Sequence, residues 1–467
     1  MAFSEGHPSR RAVLAGGAAG LALGLAPRGL RALEAAEVIE ARAAQVRLLP
    51  GGAPATQVWS YGGSVPAPEI RLPQGARLTR RLVNRLPVET SIHWHGLRLP
   101  NAMDGVPGLT QEPVAPGGDF LYDFALRDAG TFWFHSHARS FEQVERGLHG
   151  ALVVEEAEAP GVDRDMVLVI DDWRLDPESL QISEDFGNLH DLSHGGRLGN
   201  IATTNGAADF ALEVSRGERL RLRLLNAATA RLFELGLKGL EGWIMALDGQ
   251  PLEAPEPVGE TFILAPGQRA DLIVDVTAEA GEEAFLIHHL RGTGYAQARF
   301  PVRTGTAARR PAPTLLPPNP MPAPQPAAAR PARLVMEGGA MRGMAGAMFE
   351  GRRMGMRELA SRGMFWALNG VAGLGEAPLL SAASGETVRI TMENRTAFPH
   401  GMHLHGHHMR EILPGGRLGP WRDTVLLWPD ETREYVFTAE GPGKWAFHCH
   451  MLGHAEAGMM GWAEVTA

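Results

Sequence analysis

The run Arg219-Leu220-Arg221-Leu222-Arg223-Leu224-Leu225 follows the turn Arg216-Gly217 and is closed by Asn226. Its leucines and arginines alternate with period 2, so it reads as a strand with the apolar side chains turned in and the basic ones out. The same phrase occurs twice more. Gln74-Gly75 leads into Arg77-Leu78-Thr79-Arg80-Arg81-Leu82-Val83 and Asn84. Ser384-Gly385 leads into Thr387-Val388-Arg389-Ile390-Thr391-Met392, with Asn394 beyond. The three asparagines lie 142 and 168 residues apart (226 − 84 and 394 − 226). A repeat on that scale is a whole domain, and the expected fold is mainly β, three related β-sandwich units.

Length and composition agree. The 467 residues suit about three domains at ~150 each, and 57 Gly with 34 Pro fit a turn-rich chain. The hydrophobic share of 44% excludes whole-chain disorder. The net charge of −9 argues against a nucleic-acid partner. The single cysteine, Cys449, excludes an intramolecular disulfide. A lone thiol in an oxidising compartment needs an occupant, and a metal is the obvious one.

The compartment is read from the N-terminus. Ser9-Arg10-Arg11-Ala12-Val13-Leu14 opens an uncharged stretch from Ala12 to Ala26, 15 residues long. That is short of the ~20 residues a membrane span needs. Paired arginines before a weakly apolar Gly/Ala stretch resemble a twin-arginine export signal. The chain is therefore expected to meet the twin-arginine export machinery, to work in the periplasm or outside the cell, and to have no membrane span in its mature part. The division expected is 1–36 signal, 37–157 first domain, 158–304 second domain, 305–333 a Pro/Ala-rich linker, and 334–467 third domain. The last contains a Met-rich segment at 336–364.

Ten of the 18 histidines fall in four short motifs. They are His93-Trp94-His95-Gly96, His135-Ser136-His137, His400-Gly401-Met402-His403-Leu404-His405-Gly406, and His448-Cys449-His450-Met451-Leu452-Gly453-His454. Met459 follows the last. On a strand, H-x-H puts both imidazoles on one face. Four such pairs, 93/95, 135/137, 403/405 and 448/450, offer eight imidazoles, which would suit Zn, Cu, Fe or Ni. The fourth motif narrows the choice. Cys449 sits between two histidines and so points to the opposite face, where it can join His454 and His400. Two imidazoles, one thiolate and a weak axial thioether from Met459 form the ligand set of a blue-copper electron-transfer site. One strand thus touches two metal centres. That wiring suits one-electron oxidation on one side and multi-electron reduction, of dioxygen, on the other.

These four motifs resemble those of the multicopper oxidases, the laccases and bacterial cuprous oxidases among them. Asp248-Gly249-Gln250-Pro251, the segment from Leu264 to Asp271, and Asp423-Thr424-Val425 also resemble family segments. The resemblance implies three cupredoxin domains of Greek-key type and four copper ions. It gives His400, Cys449, His454 and Met459 to the type 1 copper, and His93 and His403 to the type 2 copper. His95, His135 and His450 would hold one type 3 copper, and His137, His405 and His448 the other. It also implies Asp104 as a proton-relay acid. The second relay acid expected directly after His454 is Ala455 here, and Glu456 follows as a substitute. Gly401 stands where the family usually has Pro, which changes loop stiffness and removes no ligand.

The resemblance further implies dioxygen as electron acceptor, and Cu(I) or a phenolic compound as reductant. The alternative is a periplasmic copper-tolerance protein without significant turnover. Residues 336–364 hold Met336, Met341, Met344, Met348, Met354, Met356 and Met364 along with seven Gly. Seven Gly make a Met-filled core helix unsuitable, whereas thioethers are soft ligands for Cu(I). The position resembles the Met-rich insertion of cuprous oxidases.

Overall fold

Each repeat begins with the same pair of parallel strands. Glu37–Val46 lies beside Arg77–Asn84, Arg164–Trp173 beside Arg219–Asn226, and Arg330–Gly338 beside Thr387–Asn394. The computed structural model describes residues 36–305 and 310–467; Arg10 and Arg11, expected to belong to an export signal, lie outside them. In all three pairs the asparagine ends the register, Ala41 opposite Asn84, Ile170 opposite Asn226 and Met336 opposite Asn394. An antiparallel neighbour follows in each, Asp119–Ala125, Arg269–Val276 and Thr432–Thr438. A second sheet of four or five strands faces each of these. The chain is mainly β, in three two-sheet sandwiches.

The asparagine is repeated because its amide does the same work three times. Nδ2 of Asn84 donates to Val88 O and Val114 O, both at 2.8 Å, and Oδ1 accepts from Leu86 N at 2.9 Å. Asn226 donates to Arg231 O and Leu264 O and accepts from Ala228 N. Asn394 donates to Phe398 O and Leu427 O and accepts from Thr396 N. Asn226 and Asn394 thereby tie a strand end to the facing sheet, Asn84 ties its strand end to the loops at Val88 and Val114, and all three satisfy backbone groups that would otherwise be orphaned.

One expectation about the strands fails. In Arg219–Asn226 every residue is buried, the arginines as well as the leucines. The face that should meet water meets the first unit instead. Arg221 binds Glu156 (2.8 Å) and Asp271 (2.6 Å), and Arg223 binds Asp165 (2.6 Å) and Thr131 Oγ1 (3.0 Å). A guanidinium persists in such a place only when it is paired and hydrogen-bonded. In the first unit Arg80 shares the inner parity of Leu78 and Leu82, and reaches Glu37 at 2.9 Å.

The Pro-rich stretch holds no strand from 310 to 325, but it is pinned rather than loose. Arg219 donates to Pro311 O (2.7 Å), Asn319 exchanges hydrogen bonds with Ala129, and Leu316 is buried against Met245 and Ile273. The strand Arg330–Gly338 starts inside it. The Met-rich segment is a hairpin, Gly346–Phe349 with Arg352–Gly355, followed by the short helix Met356–Ser361. Met336 and Met354 are core side chains, whereas Met341 is 70% exposed. The seven methionines are thus not one set. Buried apolar side chains of the first and last units form one continuous cluster, and most of the middle unit's form another. The first and last units meet where the histidine motifs lie.

Candidate copper sites

His93–His95 pairs with Gly130–His135 so that His93 faces His135. His400–Leu404 pairs with Gly443–Cys449 so that His403 faces His448 and Met402 faces Cys449. The alternation therefore sends the imidazoles to one side and the thiol to the other. Gly96 has a positive φ of 85°, and a Cβ there would meet Arg269 and Asp423, so the residue closing His93-Trp94-His95 has to be glycine.

The structure gathers eleven of the twelve expected metal ligands, all but Met459, together with Asp104. The donor atoms of His93, His95 and His403 lie within 4.8 Å of one another, as do those of His95, His135 and His450, and those of His137, His405 and His448. His400, Cys449 and His454 form a separate group, and His93, Asp104 and His405 a further one. All these residues are buried.

The tautomers show what the sites need. His405 donates Nδ1–H to Asp104 Oδ2 (2.9 Å) and His448 donates Nδ1–H to Cys449 O (2.9 Å). Both Nε2 atoms are then lone pairs, and they face each other at 3.0 Å. His137 Nε2 approaches His448 Nε2 to 3.4 Å. Converging lone pairs repel unless a cation lies between them. His93 Nε2, His95 Nδ1, His135 Nε2 and His403 Nε2 are buried without any partner. Such orphans are rare, and here they share one direction. In the other group, Thr396 Oγ1 fixes His400 Nε2 (2.7 Å) and the carbonyl of His194 fixes His454 Nε2 (2.7 Å). Their Nδ1 atoms converge at 3.1 Å, and lie 3.6 and 3.8 Å from Cys449 Sγ. Bonds of ~2.0 Å to imidazole and ~2.3 Å to thiolate, opening at about 115°, place N and S roughly 3.7 Å apart. The donor set therefore fits a metal of that size.

Burial sets the protonation. His95, His135, His137, His400, His403, His405 and His450 are held well below 6.5, by burial first and neighbouring imidazoles second. They are neutral, as ligands must be. Burial pushes the Cys449 thiol up to about 12. Without a cation the sulfur stays protonated, and binding one releases that proton.

Asp104 is buried, with Oδ2 on His405 and its backbone carbonyl accepting from His93 Nδ1 (2.8 Å). Met459 is fully buried, its backbone bonded to Cys449 N (3.0 Å) and His454 O (2.8 Å), whereas Met460 is half-buried opposite His448. Glu456 is not brought to the histidines. It ends the helix Leu452–Glu456 on an exposed position, and its charged neighbours are Arg139 and Glu142. The helix turn that carries His454 inward carries Glu456, two residues on, outward.

Several supporting residues were not legible beforehand. Asp423 accepts from His95 Nε2 (3.1 Å) and Thr424 Oγ1 (2.8 Å), and its carbonyl accepts from His403 Nδ1 (3.0 Å). Arg269, from the middle unit, binds Asp423 at 2.5 and 2.9 Å. The segments holding both stand out in the sequence, but nothing there gives them roles. His194 and Thr396 carry no sequence signal at all.

Three β-sandwiches with one thiolate–imidazole group beside a cluster of eight imidazoles define a cupredoxin-like protein built to hold several metal ions. Three family profiles, each described as multicopper oxidase, match residues 42–159, 164–308 and 352–467. A crystal structure of a multi-copper oxidase from Pseudomonas thermotolerans is 32% identical, with a TM-score of 0.80, over 92% of this chain and 98% of that one. Multicopper oxidase MmcO of Mycobacterium tuberculosis is 29% identical over 87% of this chain and 83% of its own length. Copper resistance protein A of Pseudomonas syringae pv. tomato is 28% identical over 86% and 88%. The chain belongs to the multicopper oxidase family. Copper is the metal the family implies, and the donor set fits it.

Proposed function

We propose that this chain is an exported oxidase that takes electrons one at a time from Cu(I) or a phenolic reductant and delivers four to dioxygen, forming two waters. One observation carries the reading: the strand Gly443–Cys449 gives its thiol to one donor group while His448 and His450, on either side, belong to the other. In this reading His400, Cys449, His454 and Met459 hold a type 1 copper. His93 and His403 hold the type 2 copper, His95, His135 and His450 one type 3 copper, and His137, His405 and His448 the second. Bound copper supplies the one-electron redox chemistry. The protein supplies fixed tautomers, a covalent path of one residue between the two groups, and a carboxylate, Asp104, within hydrogen-bond reach of His405 to move protons. Glu456 is too far outward for a second relay. A relative's name, copper resistance protein A, favours Cu(I) among the reductants.

Oxygen uptake on Cu(I) and on a phenol tests the reading, with Met341→Ser and Met348→Ser as the paired variant. These two are exposed (70% and 37%), so replacing them spares the core that Met336 and Met354 fill. A wild type loaded with four coppers that consumes no oxygen with either reductant would refute turnover. Among the described residues no helix is long and apolar enough to cross a membrane. Arg10→Lys with Arg11→Lys should trap the protein in the cytoplasm, and an unchanged exported yield would refute the twin-arginine route.

A further inference from the structure

We infer that the first unit holds, between its two sheets, a binding site for a small monocarboxylate with an apolar body, and that Arg80 takes the carboxylate. The repeat itself carries the inference. Four residues before the three asparagines stand Arg80, Leu222 and Ile390. All three are buried. Leu222 lies between Met166 and Leu272 on the paired strands, and Ile390 between Ala332 and Tyr435. Arg80 lies between Glu37 and Tyr122. Leu222 and Ile390 belong to the apolar cores of their units. Of the three, the first unit alone puts a guanidinium where the others put core.

That guanidinium lines a cavity of about 310 Å³. Ile39 and Tyr61 wall it from one sheet, and Ile70, Leu72 and Phe134 from the other. Ile70 and Leu72 lie on Ala67–Pro73, the edge strand of its sheet, and Val38 on the same wall is 56% exposed. The volume is at the small end of ligand pockets, roughly 300–1,000 Å³. The charge inside is loosely held. Arg80 reaches Glu37 at 2.9 Å, and that carboxylate's side chain is 75% exposed. So exposed a pair is weak, and Glu37 can turn into water. The other cation on the wall, Arg71, is engaged by Glu69 at 2.6 Å, with Glu155 and Asp165 at 3.5 and 3.6 Å. Arg80 is therefore the group open to an anion. A guanidinium and a carboxylate make a strong, oriented pair, and the apolar walls reward a tail taken out of water. An inorganic anion would leave those walls unused. The floor lies behind the histidine cluster: Phe134 faces the cavity and His135, next on the strand, faces away from it. None of this depends on which reductant feeds the copper groups.

The test is titration calorimetry on the copper-loaded full chain with three probes: octanoate, octan-1-ol (the tail without the charge) and acetate (the charge without the tail). Octanoate should bind at least about tenfold more tightly than either, the worth of one hydrogen bond to a charged group. Arg80→Leu installs the residue type of Leu222. It should weaken octanoate at least about tenfold and spare octan-1-ol. Glu37→Gln removes the competing carboxylate from an exposed position and should tighten octanoate. A wild type that takes up none of the probes overturns the site, as does Arg80→Leu binding octanoate as tightly as wild type. Octan-1-ol held as tightly as octanoate overturns the role of Arg80. If Arg80→Leu fails to fold, Glu37→Gln decides: octanoate binding that is unchanged or weaker refutes the site. Oxygen uptake is read separately, so each of these failures leaves the proposed function standing.

Discussion

Asp423 is the residue whose removal separates holding a metal from holding the fold. Its carboxylate and the Arg269 guanidinium are both fully buried, 2.5 and 2.9 Å apart, and Asp248 stands 3.7 Å from the same guanidinium. Removing one partner of a buried pair costs about 3–5 kcal/mol. Asp248 partly compensates the stranded charge, so Asp423→Asn should cost about 3 kcal/mol. At roughly 4 °C per kcal/mol for a unit of this size, melting should fall by about 12 °C. Asparagine keeps an oxygen for His95 Nε2–H, so the tautomer that turns His95 Nδ1 to the cluster persists. Asp423→Ala loses the acceptor as well. Copper affinity at the cluster should then fall about 10-fold for Asn and about 100-fold for Ala, the range seen when a ligand's outer partner is lost. Chelator competition with metal analysis, run beside thermal melting, reads both effects. If Asp423→Ala melts lower yet keeps its copper as tightly as wild type, Asp423 is only an ion-pair residue and the argument from His95 is wrong.

Three further outcomes follow from the same geometry. Cys449→Ser should abolish the thiolate-to-copper absorption and turnover while the histidine cluster still takes up copper; a surviving blue colour would contradict the type 1 assignment. The copper-free chain should lose stability as pH falls from about 6.5 toward about 4. His448 and His454 titrate near 4 when folded and near 6.5 when unfolded, so acid favours the unfolded state by roughly 3 kcal/mol each; a flat urea-unfolding profile across that window would refute it. Met459→Leu conserves volume at a cost below about 1.5 kcal/mol, and it should raise the type 1 potential by removing an axial donor. A shift with Met460→Leu and none with Met459→Leu would move the assignment by one residue.

The repeat was legible because each unit reuses one local solution. The strand must end where its neighbour's backbone needs an amide, and Asn84, Asn226 and Asn394 each supply it. The convergence of the histidine motifs was legible because period-2 alternation ties spacing to direction. What failed depended on contacts distant in sequence. Nothing local in Arg219–Asn226 shows that its polar face is covered by Glu156, just past the strand His149–Glu155, and by Asp165 of the neighbouring strand Arg164–Trp173. Glu456 failed for a different reason. The chain turns helical at Leu452, so a one-residue shift from the expected position rotates the carboxylate by about 100° instead of merely sliding it. Met336 and Met354 looked like their exposed neighbours because methionine serves cores and soft-metal sites equally well.

The middle unit contributes no ligand to either group, yet it touches both. Arg269 clamps Asp423, Gln268 donates to Thr424 O at 2.9 Å, and Gly267 lies so close to His450 that a Cβ would sit 2.8 Å from the ring. Thr229 O accepts from Leu452 N, and His194 O accepts from His454. The first and last units alone would leave His450 and His454 without some of their contacts, and would leave Asp423 and Thr424, the partners of His95 and His403, without Arg269 and Gln268. A site that must hold lone pairs 3.0 Å apart before its cations arrive needs such outside constraint, because the bare imidazoles would otherwise swing apart. The three-unit architecture is thus consistent with the site: two units carry the candidate ligands, and the third packs against them and holds several in place.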